Sequence, residues 1–108
     1  MSKLQNTTKL KAAKIAPIHP GEILKETLED LGMSMNRLAI ALRVPANRIS
    51  GIVAGERAIT GETALRLARY FGTTPGYWIG MQAQYDLESA RDRFEAAIQT
   101  EVSPMRAA

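Results

Sequence analysis

The chain has 108 residues, enough for one domain with one modest core. It contains no cysteine, which excludes disulfides and thiolate metal sites, and no apolar run near the roughly 20 residues of a membrane span. Its net charge is +3 and its isoelectric point about 9.5, a mild bias that suits a nucleic-acid partner without demonstrating one.

Residues 1–17 mix Thr, Lys, Asn and Gln and carry four lysines (Lys3, Lys9, Lys11, Lys14) with no acid. They read as a flexible basic arm ending at Pro17. No apolar stretch follows those lysines, so a secretory signal is not expected, and the absence of cysteine fits a reducing cytoplasm. The first helix opens at His19-Pro20-Gly21-Glu22. Proline at the first helical position loses only a donor that would be unpaired there, and Glu22 lies near the positive end of the helix dipole. Leu24, Thr27, Leu28 and Leu31 are the expected buried stripe, and Gly32 is the stop. The outer face is acidic: Glu22, Glu26 and Glu29 recur at helical spacing, with Asp30 beside them. Carboxylates in one stripe do not converge on a point, so they make neither a hydrolytic pair nor a metal site. His19 is the only histidine and has no ligand or nucleophile partner in view.

Ser34 caps a second helix, with Met33 and Leu38 spaced as a hydrophobic staple. Leu38, Ala39 and Leu42 form its inner face, and Ala39 is small enough to let a following helix cross closely. After the corner at Arg43-Val44, Pro45 starts a third helix that Gly55 ends, with Ile49, Ile52 and Val53 turned inward. Its outward positions, Ala46, Asn47, Arg48 and Ser50, are short or hydrogen-bonding. A helix entering the DNA major groove must offer such side chains to base edges. This hairpin (residues 35–57) carries Arg37, Arg43, Arg48 and Arg57 against Glu56 alone, so a basic surface follows the acidic first helix.

Thr60 caps a fourth helix with the expected stripe Ala64, Leu65, Ala68 and Phe71, closed by Gly72. Thr74-Pro75 starts a fifth and longer one. Its apolar positions are Trp78, Met81 and Tyr85, continuing through Leu87, Ala90, Phe94, Ala97 and Ile98. At ~1.5 Å per residue, about 25 residues reach nearly 40 Å, longer than a domain this small is wide. A second copy is the simplest cover for that stripe, so Trp78, Met81, Tyr85, Phe94 and Ile98 are the expected homodimer interface. No run alternates at the strand period. The expected class is all-α: five helices over residues 18–99, a basic arm over 1–17 and a frayed tail over 100–108.

Several segments in order carry a resemblance: Ile18-His-Pro-Gly-Glu-Ile-Leu24, Leu31-Gly-Met-Ser34, the helical hairpin, and Gly55-Glu-Arg-Ala-Ile-Thr60. After these come Thr63-Ala-Leu-Arg-Leu-Ala68, Phe71-Gly-Thr-Thr-Pro-Gly-Tyr-Trp78 and Met81-Gln-Ala-Gln-Tyr-Asp-Leu87. Over about residues 17–90 this resembles the HigA-type antitoxins, a branch of the phage-repressor-like (XRE/Cro) helix-turn-helix proteins. The resemblance implies a dimeric repressor that binds double-stranded operator DNA ahead of its own operon. It also implies a small basic RelE-like (HigB-type) mRNA-cleaving toxin as partner, held inactive. It implies no catalytic residue, metal or other cofactor, and no membrane. The alternative is a phage-type repressor with no toxin.

In this reading Ala46, Asn47 and Ser50 contact bases, Asn47 through a bidentate amide-to-adenine pair. Ser34, Arg43, Arg48 and Arg57 contact phosphates, and the acidic Glu22, Glu26, Glu29 and Asp30 face the basic toxin. Three positions depart from the family pattern. Met35 stands where a phosphate-binding Gln is frequent. Arg43 stands where Gly is common, which requires backbone strain or a different corner. Glu56 stands in a loop that is often basic.

Overall fold

A computed structural model describes residues 16–106, so the basic arm expected over residues 1–17 lies almost wholly outside the described residues. The described residues form five helices: α1 (Pro20–Leu31), α2 (Met35–Leu42), α3 (Ala46–Val53), α4 (Gly61–Phe71) and α5 (Pro75–Glu101). No strand is present among them, and none of the helices is long and apolar enough to cross a membrane.

Local chemistry sets most of the boundaries. The Gly21 amide donates to His19 Nδ1 at 2.9 Å, which caps α1 ahead of Pro20. Ser34 Oγ accepts from the Arg37 amide at 3.0 Å, Thr60 Oγ1 from Thr63 and Thr74 Oγ1 from Tyr77. Each cap satisfies one of the four amides that a helix start leaves open, for about 1 kcal/mol. Pro45 stands one place earlier than expected, as the residue before α3, and makes no side-chain cap.

The core gathers Leu24 and Leu28 of α1, Leu38, Ala39 and Leu42 of α2, Ile49 and Ile52 of α3, Ala64, Leu67 and Ala68 of α4, and Trp78 of α5. Burial of each large member contributes about 1.5–3 kcal/mol. The start of α1 crosses α3 at Gly21, where a Cβ would land on the carbonyl oxygen of Ile52. Only glycine permits that approach, a contact the sequence pattern does not reveal.

Three expectations need correction. Leu31 is exposed, because α1 ends just as its stripe swings away from the bundle. In α4 the buried leucine is Leu67, whereas Leu65 is 61% exposed; both fit a helical stripe with Ala64 and Ala68, and packing against α2 and α5 selects the first. Trp78 is only 2% exposed. It packs inside one chain beside Phe71 and donates from Nε1 to Thr73 Oγ1 at 2.8 Å, so it does not belong to a dimer surface.

Helix α5 also runs past the expected boundary: Thr100 and Glu101 are helical, and the non-helical tail begins at Val102. Its first half packs on the bundle, with Trp78 and Gln82 buried and Met81 and Tyr85 half-buried; the Tyr85 ring meets His19 edge-on at 4.8 Å. From Ala90 through Arg106 every residue is exposed. This half projects from the bundle and leaves Phe94 at 46% and Ile98 at 51% exposure.

Candidate nucleic-acid interface

Helices α2 and α3 meet at a corner built on Arg43. That residue has φ 59° and ψ 47°, and it is the only non-glycine with positive φ among the described residues. The left-handed conformation costs an L-residue about 1–2 kcal/mol. Of the two outcomes expected for Arg43, the strained corner is the one observed. Neighbouring bonds hold it there. The Arg43 amide donates to Ile40 O and the Val44 amide to Ala39 O, which ends α2 with its last carbonyls largely satisfied. Arg66 of α4 reaches across to the last one, Nη1 donating to Leu42 O at 2.9 Å.

The corner aims α3 with Ile49 and Ile52 inward and Ala46, Asn47 and Ser50 outward and exposed. The three residues expected to read bases thus lie together on one open face. Among the described residues the Asn47 side-chain amide has no hydrogen-bond partner, and Ser50 Oγ makes a long contact with Asn47 O at 3.4 Å. Gly51 is one turn beyond Asn47, and Arg57 folds back over it; a Cβ at Gly51 would sit 3.3 Å from Arg57 Cβ. The amides of Glu56 and Arg57 both donate to Gly51 O, at 2.9 and 3.1 Å. Glycine at this position therefore lets the Arg57 stem lie against the last turn of α3.

The phosphate candidates divide. Arg57 and Arg43 are exposed, and Ser34 is exposed with a hydroxyl that accepts the capping bond and donates to no other group among the described residues. Arg48 is engaged: its Nη1 lies 3.4 Å from Glu62 Oε1, tying α3 to α4. Glu62 also bonds Arg66 at 3.0 Å. The Arg66 hydrogen bond, and then the positive field of Arg48, hold the Glu62 carboxyl below its ordinary value. Met35 is an exposed apolar side chain at the first turn of α2, and Glu56 is exposed next to Arg57.

Sequence reasoning missed Glu62 and Arg66, whose roles depend on partners 14 and 24 residues away. It also missed Gln82, which is buried and accepts from the Ile59 amide through Oε1 at 2.8 Å while Nε2 donates to Asp86 Oδ1 at 3.0 Å. The Gln82–Asp86 spacing of four was a usable signal, since such pairs meet on a helix. On α1, Glu22, Glu26, Glu29 and Asp30 are exposed, and none of them is in an ion pair among the described residues.

A capped helix, a tight corner, a second helix with a short polar outward face and a loop that lays Arg57 against that helix define a helix-turn-helix protein. The helix-turn-helix family model matches residues 24–78. Virulence-associated protein I of Dichelobacter nodosus is 53% identical over 74 residues, 68% of each chain. An addiction-module antidote protein of the HigA family from Coxiella burnetii superposes with a TM-score of 0.82 at 49% identity, covering 84% of this chain and all of that one. The Pseudomonas aeruginosa antitoxin HigA, solved with the higBA promoter, gives 0.80 at 40% identity over 83% and 99% of the two chains. The chain belongs to the HigA-type antitoxins of the helix-turn-helix family.

Proposed function

We propose that this chain is the antitoxin of a type II toxin–antitoxin pair, binding a RelE-like mRNA-cleaving toxin and repressing its own operon as a dimer on operator DNA. It acts in the cytoplasm and by binding rather than by catalysis. The observation that carries this reading is the open face of α3. Asn47 and Ser50 are unobstructed there and Arg57 lies alongside, in a chain 40% identical to an antitoxin solved with its promoter. Asn47 and Ser50 read base edges and Ala46 packs on a thymine methyl, while Arg57, Arg43 and the Ser34 end of α2 bind phosphates. Arg48 steadies α3 through Glu62 and adds positive potential.

The half-buried Met81 and Tyr85 and the projecting Phe94 and Ile98 form the dimer seam, which sets two recognition helices about 34 Å apart, one per half-site. Toxin capture falls to the acidic face of α1. A nuclease acting on ribosome-bound RNA is basic, and opposite charges speed its association.

Titration of the operator and of a scrambled duplex at two salt concentrations tests the DNA half. Asn47→Ala is expected to weaken operator binding by about 1–3 kcal/mol while sparing the scrambled duplex. Arg57→Ala is expected to weaken both and to flatten the salt dependence by about one unit of slope. Equal losses on both duplexes for Asn47→Ala would remove the base-reading role. For the toxin half, co-expression with the adjacent gene should rescue growth, and Glu26→Lys with Glu29→Lys should slow capture at low salt without harming operator binding. Failure of the adjacent product to co-purify would leave a repressor without a toxin.

A further inference from the structure

The loop from Ala54 to Thr60 is held from two sides. On one side the Glu56 and Arg57 amides share the Gly51 carbonyl, which lays Arg57 along α3. On the other, Ile59 is buried and its amide donates to Gln82 Oε1 at 2.8 Å. Gln82 is itself 7% exposed and belongs to α5, 23 residues further along the chain. Asp86 fixes which way the Gln82 amide faces. A carboxylate only accepts hydrogen bonds, so the NH2 group turns to Asp86 and the oxygen is left for Ile59. A buried backbone N–H requires a partner, and here the partner is a side chain on another helix. Arg57 is two residues before Ile59, so the point that anchors Ile59 also limits where Arg57 can lie.

We infer that Gln82 is a positioning residue for DNA binding. By holding the Ile59 amide it keeps Arg57 against the Gly51 turn of α3, and it fastens this loop to the helix that carries the dimer seam. The inference rests on the reading of α3 as the DNA-binding helix. Gln82 touches no DNA; it acts through Arg57.

The test uses the full chain, a duplex from the promoter of its own operon and a scrambled duplex of equal length. Gln82→Met keeps side-chain length but removes the acceptor. Affinity should fall about tenfold on both duplexes, as for the loss of a charge-assisted contact. The slope of log affinity against log salt should become shallower by about 0.9, one phosphate's worth. Adding Arg57→Ala to Gln82→Met should then cost less than about twofold more, because both changes remove the same contact. Gln82→Glu alone keeps an acceptor but sets it against the Asp86 carboxylate, and the repulsion should leave its affinity between those of wild type and Gln82→Met. Gln82→Glu with Asp86→Asn rebuilds the pair with donor and acceptor exchanged, leaves a carboxylate oxygen for Ile59 and should restore both affinity and slope. That swap carries the test if the methionine variant does not fold. Additive losses with an unchanged salt slope would overturn the inference, as would a folded swap variant that binds no better than Gln82→Met. A wild-type chain that binds neither duplex sinks the DNA-binding reading and this inference with it. A wild-type chain that binds, with Gln82→Met binding equally well, overturns the inference alone.

Discussion

Trp78 and Phe94 stand on one helix but on nearly opposite faces of it, and Trp78 is enclosed by its own chain while Phe94 is 46% open to solvent. The neighbouring Arg93 guanidinium lies over the Phe94 ring, 4.9 Å from its centre. The first half of α5 is thus bundle core, and the second half presents the same chemistry outward. Apolar spacing along a helix shows that something must cover the stripe. It does not show whether that cover lies in the same molecule.

The sharpest way to break this contrast is to empty each half in turn. Trp78→Ala should cost about 3–5 kcal/mol of folding stability, measured by denaturant unfolding of a dilute sample. Phe94→Ala with Ile98→Ala should leave that dilute-sample stability nearly unchanged. Their effect should appear in self-association, weakening the proposed dimer by about 2–3 kcal/mol in sedimentation equilibrium. A dilute sample destabilised as much by the distal pair as by Trp78→Ala would erase the distinction. Arg43→Gly sharpens it from the other side: relief of the left-handed strain, offset by the looser unfolded chain, should stabilise the bundle by about 0.5–1 kcal/mol. The dimer constant should not move.

The smallest effect is on pH dependence. Because Glu62 is held below its ordinary value of 4.5 by Arg66 and Arg48, its contribution is complete above that value and is lost as pH falls through its lower folded value. Its exposure keeps the effect slight. Glu62→Gln should flatten the acid limb of the melting curve against pH and leave the neutral region alone.

The parts of the fold that rest on near neighbours were legible in the sequence. Ser34, Thr60 and Thr74 cap because their amide partners lie three residues on, and Pro20 and Gly32 punctuate α1 by their own backbone preferences. The outward set Ala46, Asn47 and Ser50 was legible for the same reason, since helical phase alone decides it once Ile49 and Ile52 are inward. What depends on distant partners was not. Leu65 and Leu67 are equally apolar, and only the surrounding helices choose between them. Arg48 reads as a free cation until Glu62 arrives from the next helix, and Trp78 reads as an interface until the bundle closes around it.

The contact at Gly21 carries a mechanical consequence. With the backbone of α1 set directly on the Ile52 carbonyl, no layer of side chains separates the start of α1 from the end of α3. A joint between two backbones has no rotamers to rearrange and no void to compress, so it transmits position instead of absorbing it. The carboxylates of α1 and the outward amide of Asn47 are therefore mounted on one stiff bracket. A protein seated on the first and a duplex seated on the second either clear one another or collide, and that outcome is cast in the shape of the bracket before either arrives.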